Sequence, residues 1–257
     1  MDQSNNLGQS NSIKELGQAN TFPQAQTARN PRGNIYYLPI IGCIEGHTVL
    51  PQTTKTTKYE HVIPQIVNVA ENPEIDGMLV VLNTVGGDVE AGLAIAELIA
   101  GLNKPTVSLV LGGCHSIGVP LAVAALCSFI TPSATMTIHP IRMNGTVVGS
   151  PQTYDYFNKM QERVDDFVTS HSSIRRSRLR NLMLSTQNMA VDMGTLLVGK
   201  EAVAERLIRR TGSLADARNM LFELIKRRRG KRKDLGSSAP KPIAARAHDA
   251  RTESPDP

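Results

Sequence analysis

This 257-residue sequence has no tryptophan, and aromatic residues make up only 4% of it. Its 40% apolar content is therefore overwhelmingly aliphatic, and is enough for a sizeable core. Cysteine is sparse and odd in number: Cys43, Cys114 and Cys127, with no C-x-x-C pair. That excludes a disulfide framework and a cysteine-based zinc site, and leaves reduced thiols as the expectation. A membrane-spanning run is also missing. The longest apolar stretch, Gly118 to Ile130, is broken by Pro120 and Ser128 and falls short of the about 20 residues a spanning helix needs. The polar start, rich in Gln, Asn and Ser, lacks the basic opening and apolar centre of a secretory signal. A cytoplasmic protein is expected.

Acidic charge is scarce in one place only. Between Lys226 and Pro257 lie ten Lys/Arg and four Asp/Glu, a local balance of +6. The rest of the chain carries 18 basic and 19 acidic residues, so the net charge of +5 belongs to the tail. The run Lys226-Arg227-Arg228-Arg229-Gly230-Lys231-Arg232-Lys233 has no interleaved aromatics. It supports a solvated terminus over nucleic-acid binding and leaves contact with an anionic membrane open.

Three parts follow from composition. Residues 1–33 read as a disordered polar segment, 34–226 as one compact domain, and 227–257 as a basic, Pro/Ala/Ser-rich disordered tail. Within the body, strands are expected at Ile35 to Ile41, Gly77 to Leu82, Thr106 to Leu111, Leu126 to Thr131 and Met136 to His139. Helices are expected at Tyr59 to Ala70, Asp88 to Leu102 and Ser116 to Ala125, then at Gln152 to Ser170, Ser177 to Ser185, Lys200 to Arg209 and Leu214 to Lys226. The unbroken apolar run Gly77 to Leu82 suits a strand buried on both faces. Strand and helix alternate, so the fold class is α/β with a parallel β-sheet core and βαβ repeats. Gln152 to Ser170 carries one stripe, Tyr156, Met160, Val164, Phe167 and Val168, which packs on the core or on a neighbouring subunit.

Three places can carry chemistry. In Asn83-Thr84-Val85-Gly86-Gly87-Asp88 a buried strand runs into two glycines and a helix, an arrangement that stabilises an anion with backbone N–H groups. It holds neither a Walker lysine nor G-x-G-x-x-G, which argues against a nucleotide. In Gly112-Gly113-Cys114-His115-Ser116-Ile117-Gly118 a serine opens a helix among glycines, and the Ile117 N–H would point where an oxyanion forms. A serine there is more often a cap. The full G-x-S-x-G elbow is not met either, because Cys114 stands where the first glycine belongs. His139, one helix and one strand later, is the candidate base; His115 adjoins Ser116, and adjacent side chains diverge.

Together these segments resemble the proteolytic subunit family of the Clp proteases, within the ClpP/crotonase-type fold, over about Ile35 to Leu207. The resemblance implies a serine peptidase with Ser116 as nucleophile and His139 as base, and an oxyanion hole formed by the N–H groups of Gly87 and Ile117. The family carries an aspartate shortly before a segment resembling Val198-Gly199-Lys200-Glu201-Ala202-Val203. That role goes to Asp192, the one acidic residue between Ser170 and Lys200, although the family spacing itself falls near Gly194. No metal or organic cofactor is implied. Peptides or unfolded proteins are the implied substrates, and the long helix becomes a protruding oligomerisation helix in a heptameric ring or in stacked rings. An ATPase partner is left open. Three alternatives stand beside this: a membrane-type signal peptide peptidase with a lysine base, a crotonase-like enzyme on CoA thioesters, and a catalytically weak scaffold or partner-binding ring.

Overall fold

The computed structural model describes residues 27–142, 149–186 and 194–237. Strand β1 (Thr27–Ala28) is followed by β2 (Ile35–Glu45), β3 (Thr56–Lys58), helix α1 (Tyr59–Glu71), β4 (Gly77–Gly87) and α2 (Val89–Ala100). Then come β5 (Thr106–His115), α3 (Gly118–Val123), β6 (Cys127–Ile130), β7 (Thr135–Ile138), α4 (Pro151–His171) and α5 (Arg176–Met183). The described chain ends with β8 (Thr195–Val198), α6 (Lys200–Ala204), β9 (Arg210–Thr211) and α7 (Leu214–Ser237).

The nine strands of the described residues form one sheet in the order β1-β2-β4-β5-β6-β9, largely parallel, with β3 beside β2, β7 branching from β5 and β8 paired to β7. This is the expected α/β architecture, with a parallel sheet core and βαβ repeats. The apolar run in β4 is explained by cover on both faces. Met78, Val80 and Leu82 point into the larger core with α1, α2 and α3. Leu79 points the other way, with Ile35, Val107, Leu109 and Phe129, against Ala217, Leu221, Phe222 and Ile225 of α7. Leu221 is fully buried there. Its replacement by alanine should cost about 2–5 kcal/mol, read as a fall in the thermal unfolding midpoint with the site chemistry unchanged.

The branch point positions the site. Residues Val107–Val110 of β5 pair with β6, and Gly113–His115 pair with β7 instead. One strand thus leaves its first neighbour and takes a second, so Ser116 and His139 leave adjacent parallel strands at the same end. On the other side of β5, Thr84 pairs with Cys114, which brings the Gly86-Gly87 turn to that same edge.

Several expectations shift. The strands expected to stop at Ile41, Leu82 and Leu111 continue to Glu45, Gly87 and His115. The helix expected from Ser116 starts only at Gly118, because Ser116 itself takes a left-handed turn with φ 56°. The helix expected to reach Arg209 stops at Ala204, where Arg206 (φ 61°) reverses the chain into β9. Thr27 and Ala28, expected in the polar leader, pair antiparallel with Tyr36 and Ile35.

The last helix, expected to end at Lys226, runs to Ser237. Arginine and lysine are good helix formers, and Arg229 ties this extension to the body through Asp76 at 2.8 Å. The stripe on α4 divides. Met160, Val164, Phe167 and Val168 are buried, whereas Tyr156 stands exposed, as does Tyr154 outside the stripe. Among the described residues no helix is long and apolar enough to cross a membrane.

Candidate active site

Ser116 follows β5 at a positive φ of 56°, a costly conformation for a residue with a side chain. Two contacts hold it there. Its N–H donates to the Thr137 carbonyl at 3.0 Å, and its own carbonyl accepts from Val119 N at 3.0 Å, starting α3. The turn is crowded. A Cβ on Gly86 would lie 2.7 Å from the Ser116 Cβ and 3.4 Å from the Ile117 nitrogen, so only glycine fits there. Gly87, at φ 149°, would drive a Cβ to 2.2 Å from the Ile44 carbonyl oxygen.

His139 leaves β7 half-buried, and its Nδ1 lies 2.6 Å from the Pro140 carbonyl oxygen. A carbonyl only accepts, so Nδ1 carries a proton, and in the neutral ring this leaves Nε2 with the lone pair a general base needs. Ser116 and His139 line one cavity of about 210 Å³ together with Gly87 and Ile117. Its remaining wall is mostly apolar, with Val119, Ile138, Val164, Val168 and Met183, and two polar residues, Arg142 and Gln161, interrupt it. Among the described residues no hydrogen bond joins Ser116 to His139.

Four of the five residues singled out from sequence therefore meet at one cavity. The fifth, Asp192, lies outside the described residues. The histidine and cysteine next to Ser116 do other things. Burial pushes the Cys114 thiol up, and its Sγ donates to the Gly118 carbonyl at 3.0 Å, so it stays an inert core group. His115 turns to the Thr137 hydroxyl at 2.8 Å and is not part of the cavity wall.

Burial, and to a lesser extent the charge of His139, lowers the His115 pKa below its ordinary value of 6.5. Below that value the unfolded chain takes up the proton more readily than the folded one, so this contribution to stability is full above it and is lost on acidification. Unfolding midpoints measured on either side of the ordinary value should fall towards acid, and the fall should be smaller in His115→Gln.

Helix α2 begins beside this cavity. Asp88 caps it by accepting from Ala91 N at 2.8 Å. Glu90 in its first turn pairs with Arg163 of α4 through two hydrogen bonds of 2.6 and 2.9 Å, fastening the two helices together. Burial is slight and the pair lies on the surface, so its value is in alignment more than in stability. Gln161 escaped the sequence reading. The available signal was a polar residue at i−3 from Val164 and i−7 from Val168, on the buried face of an otherwise apolar stripe.

Known proteins resemble this chain along most of its length. The sequence profile of the Clp protease family matches residues 42–210, which contain every residue of the cavity wall. The chain is 53% identical over 215 residues to the translocation-enhancing protein TepA of Halalkalibacterium halodurans, covering 84% of this chain and 82% of that protein. It is 29% identical over 127 residues to the ATP-dependent Clp protease proteolytic subunit 1 of Chlamydia trachomatis serovar D, covering 45% of this chain and 66% of that subunit. The corresponding subunit of Chlamydia muridarum gives 29% over 130 residues. A match that takes in the whole cavity wall, with more than half of the aligned positions identical to one relative along most of the chain, leaves one assignment: this protein belongs to the Clp protease family.

Proposed function

We propose that this chain is a serine endopeptidase. The observation that carries the reading is a serine held at positive φ on the wall of a cavity it shares with a histidine in its basic tautomer. The Ser116 hydroxyl attacks the scissile carbonyl while His139 Nε2 takes its proton. The tetrahedral oxyanion is met by the N–H groups of Gly87 and Ile117, each worth about 3–4 kcal/mol of barrier. His139 then gives the proton to the leaving amine, the acyl-enzyme forms, and water repeats the sequence to release Ser116. Asp192 is the proposed third member, accepting from Nδ1 as the imidazolium forms. The reaction needs no metal or organic cofactor.

Peptides or unfolded proteins are the proposed substrates, and the mostly apolar wall suits an apolar side chain beside the scissile bond. A homo-oligomeric ring, built through the exposed tyrosines of α4, is the proposed assembly. The names of the relatives support two further points: a setting in protein translocation, and an ATPase partner.

One observation favours a second reading, a catalytically weak scaffold: in this structure Nδ1 of His139 contacts a backbone carbonyl where a triad would put a carboxylate. A fluorophosphonate probe separates the two. Labelling of the assembled protein, mapped to Ser116 by mass spectrometry, supports the peptidase. A folded, assembled protein that takes no label supports the scaffold.

A further inference from the structure

Asp165 is a charged residue with no exposed surface, on α4, and the mechanism above makes no use of it. Burying a carboxylate costs several kcal/mol unless its oxygens are fully engaged. Both are. Oδ2 accepts from Arg180 Nε at 2.9 Å and Oδ1 accepts from Gln161 Nε2 at 2.8 Å. A carboxylate can only accept, so the Gln161 amide is fixed with its nitrogen towards Asp165 and its oxygen away. That oxygen, Oε1, accepts from the Ile141 N–H at 2.8 Å.

The Ile141 N–H and the Pro140 carbonyl belong to one planar peptide unit. The Pro140 carbonyl in turn accepts from His139 Nδ1 at 2.6 Å. The four groups thus make a head-to-tail chain: imidazole N–H to peptide carbonyl, peptide N–H to Gln161 carbonyl, Gln161 N–H to carboxylate. Every bond points the same way, so each polarises the next and the charge at one end strengthens the acceptor at the other.

We infer that Asp165 and Gln161 are positioning residues for His139, acting through the Pro140–Ile141 peptide to hold the imidazole in its Nδ1–H tautomer. The inference rests on the peptidase reading for its catalytic meaning, but the tautomer is measurable without catalysis. No covalent step is involved. Gln161 is a cavity residue whose polar atoms are turned to this chain, which accounts for a polar side chain in a mostly apolar wall.

The test compares wild type, Gln161→Met, and Gln161→Glu combined with Asp165→Asn. The methionine has the right size and breaks the chain. The double variant moves the carboxylate one link closer, where it accepts from Ile141 N–H and from the new amide at position 165. Arg180 is half exposed and can turn to water. Two quantities are read: the tautomer of His139 by nitrogen-15 NMR of the imidazole, and the rate of peptide hydrolysis.

Gln161→Met should move the imidazole towards the Nε2–H form and lower kcat by about 10- to 100-fold with KM nearly unchanged. The double variant should restore both. A folded Gln161→Met with the wild-type tautomer overturns the inference, as does a double variant no better than Gln161→Met. If the wild type itself takes no fluorophosphonate and hydrolyses nothing, the peptidase reading fails, while the tautomer comparison still decides the positioning role.

Discussion

Ser116→Ala should take no fluorophosphonate label and should hydrolyse peptides about 10⁶-fold more slowly than the wild type. The size of this effect follows from the lack of a substitute. Cys114, two positions away, has its thiol raised by burial and committed to the Gly118 carbonyl. His115 is turned to Thr137. Neither can reach a substrate in the cavity.

The substitution is also structurally mild. Alanine keeps the Cβ, so the close approach of Gly86 is unchanged, and the backbone strain at φ 56° is the same for both residues. The thermal midpoint should therefore stay close to that of the wild type, which makes loss of rate a statement about chemistry. The backbone donors and the binding cavity survive, so a residual rate above the uncatalysed reaction is expected. Labelling of Ser116→Ala at the wild-type rate would mean that the reactive group lies elsewhere.

How much of this was legible in the sequence depends on the range of each interaction. The parallel α/β core showed in alternating apolar strands and helical periodicity, because both are set by residues a few positions apart. Ser116, His139, Gly87 and Ile117 were found from local turn chemistry and from family resemblance, and they line one cavity.

The change of partner along β5, from β6 to β7, was not readable. It is a choice between two strands made over the whole sheet, and nothing in Thr106 to His115 announces it. Strand β8 was missed for a related reason: Thr195–Val198 is four residues long and gains its place only by pairing antiparallel with β7. The tail was misjudged at its start, where a basic run that reads as solvated coil continues α7 and is tied down by Asp76, 153 positions away. Asp165 is the most instructive miss. On sequence it is one more charge on a charged helix; only the packing of α5, which brings Arg180, makes its burial possible.

Replacing Asp192 with alanine should lower kcat by about 10⁴-fold, less than the loss of the nucleophile costs. In the peptidase proposed above, Asp192 and the Pro140 carbonyl would compete for the same proton on His139 Nδ1. In the structure the Pro140 carbonyl holds it at 2.6 Å, which is sufficient to set the neutral tautomer. The proposed turnover makes a different demand, since the imidazole would become a cation on taking the Ser116 proton.

A carbonyl offers that cation a partial charge, and the carboxylate of Asp165 stands two amide groups away. A carboxylate directly against Nδ1 offers a full charge at hydrogen-bond distance. Coulomb attraction weakens with separation, so the direct contact stabilises the imidazolium far more. Hence the ranking: about 10⁴-fold for Asp192→Ala against about 10- to 100-fold for Gln161→Met. The check is kcat for the two variants side by side, with labelling of Ser116 followed in each. If Asp192→Ala costs less than about tenfold, the direct contact adds little. The Pro140 carbonyl, backed by Gln161 and Asp165, would then be the sole orienting acceptor of a Ser116–His139 dyad.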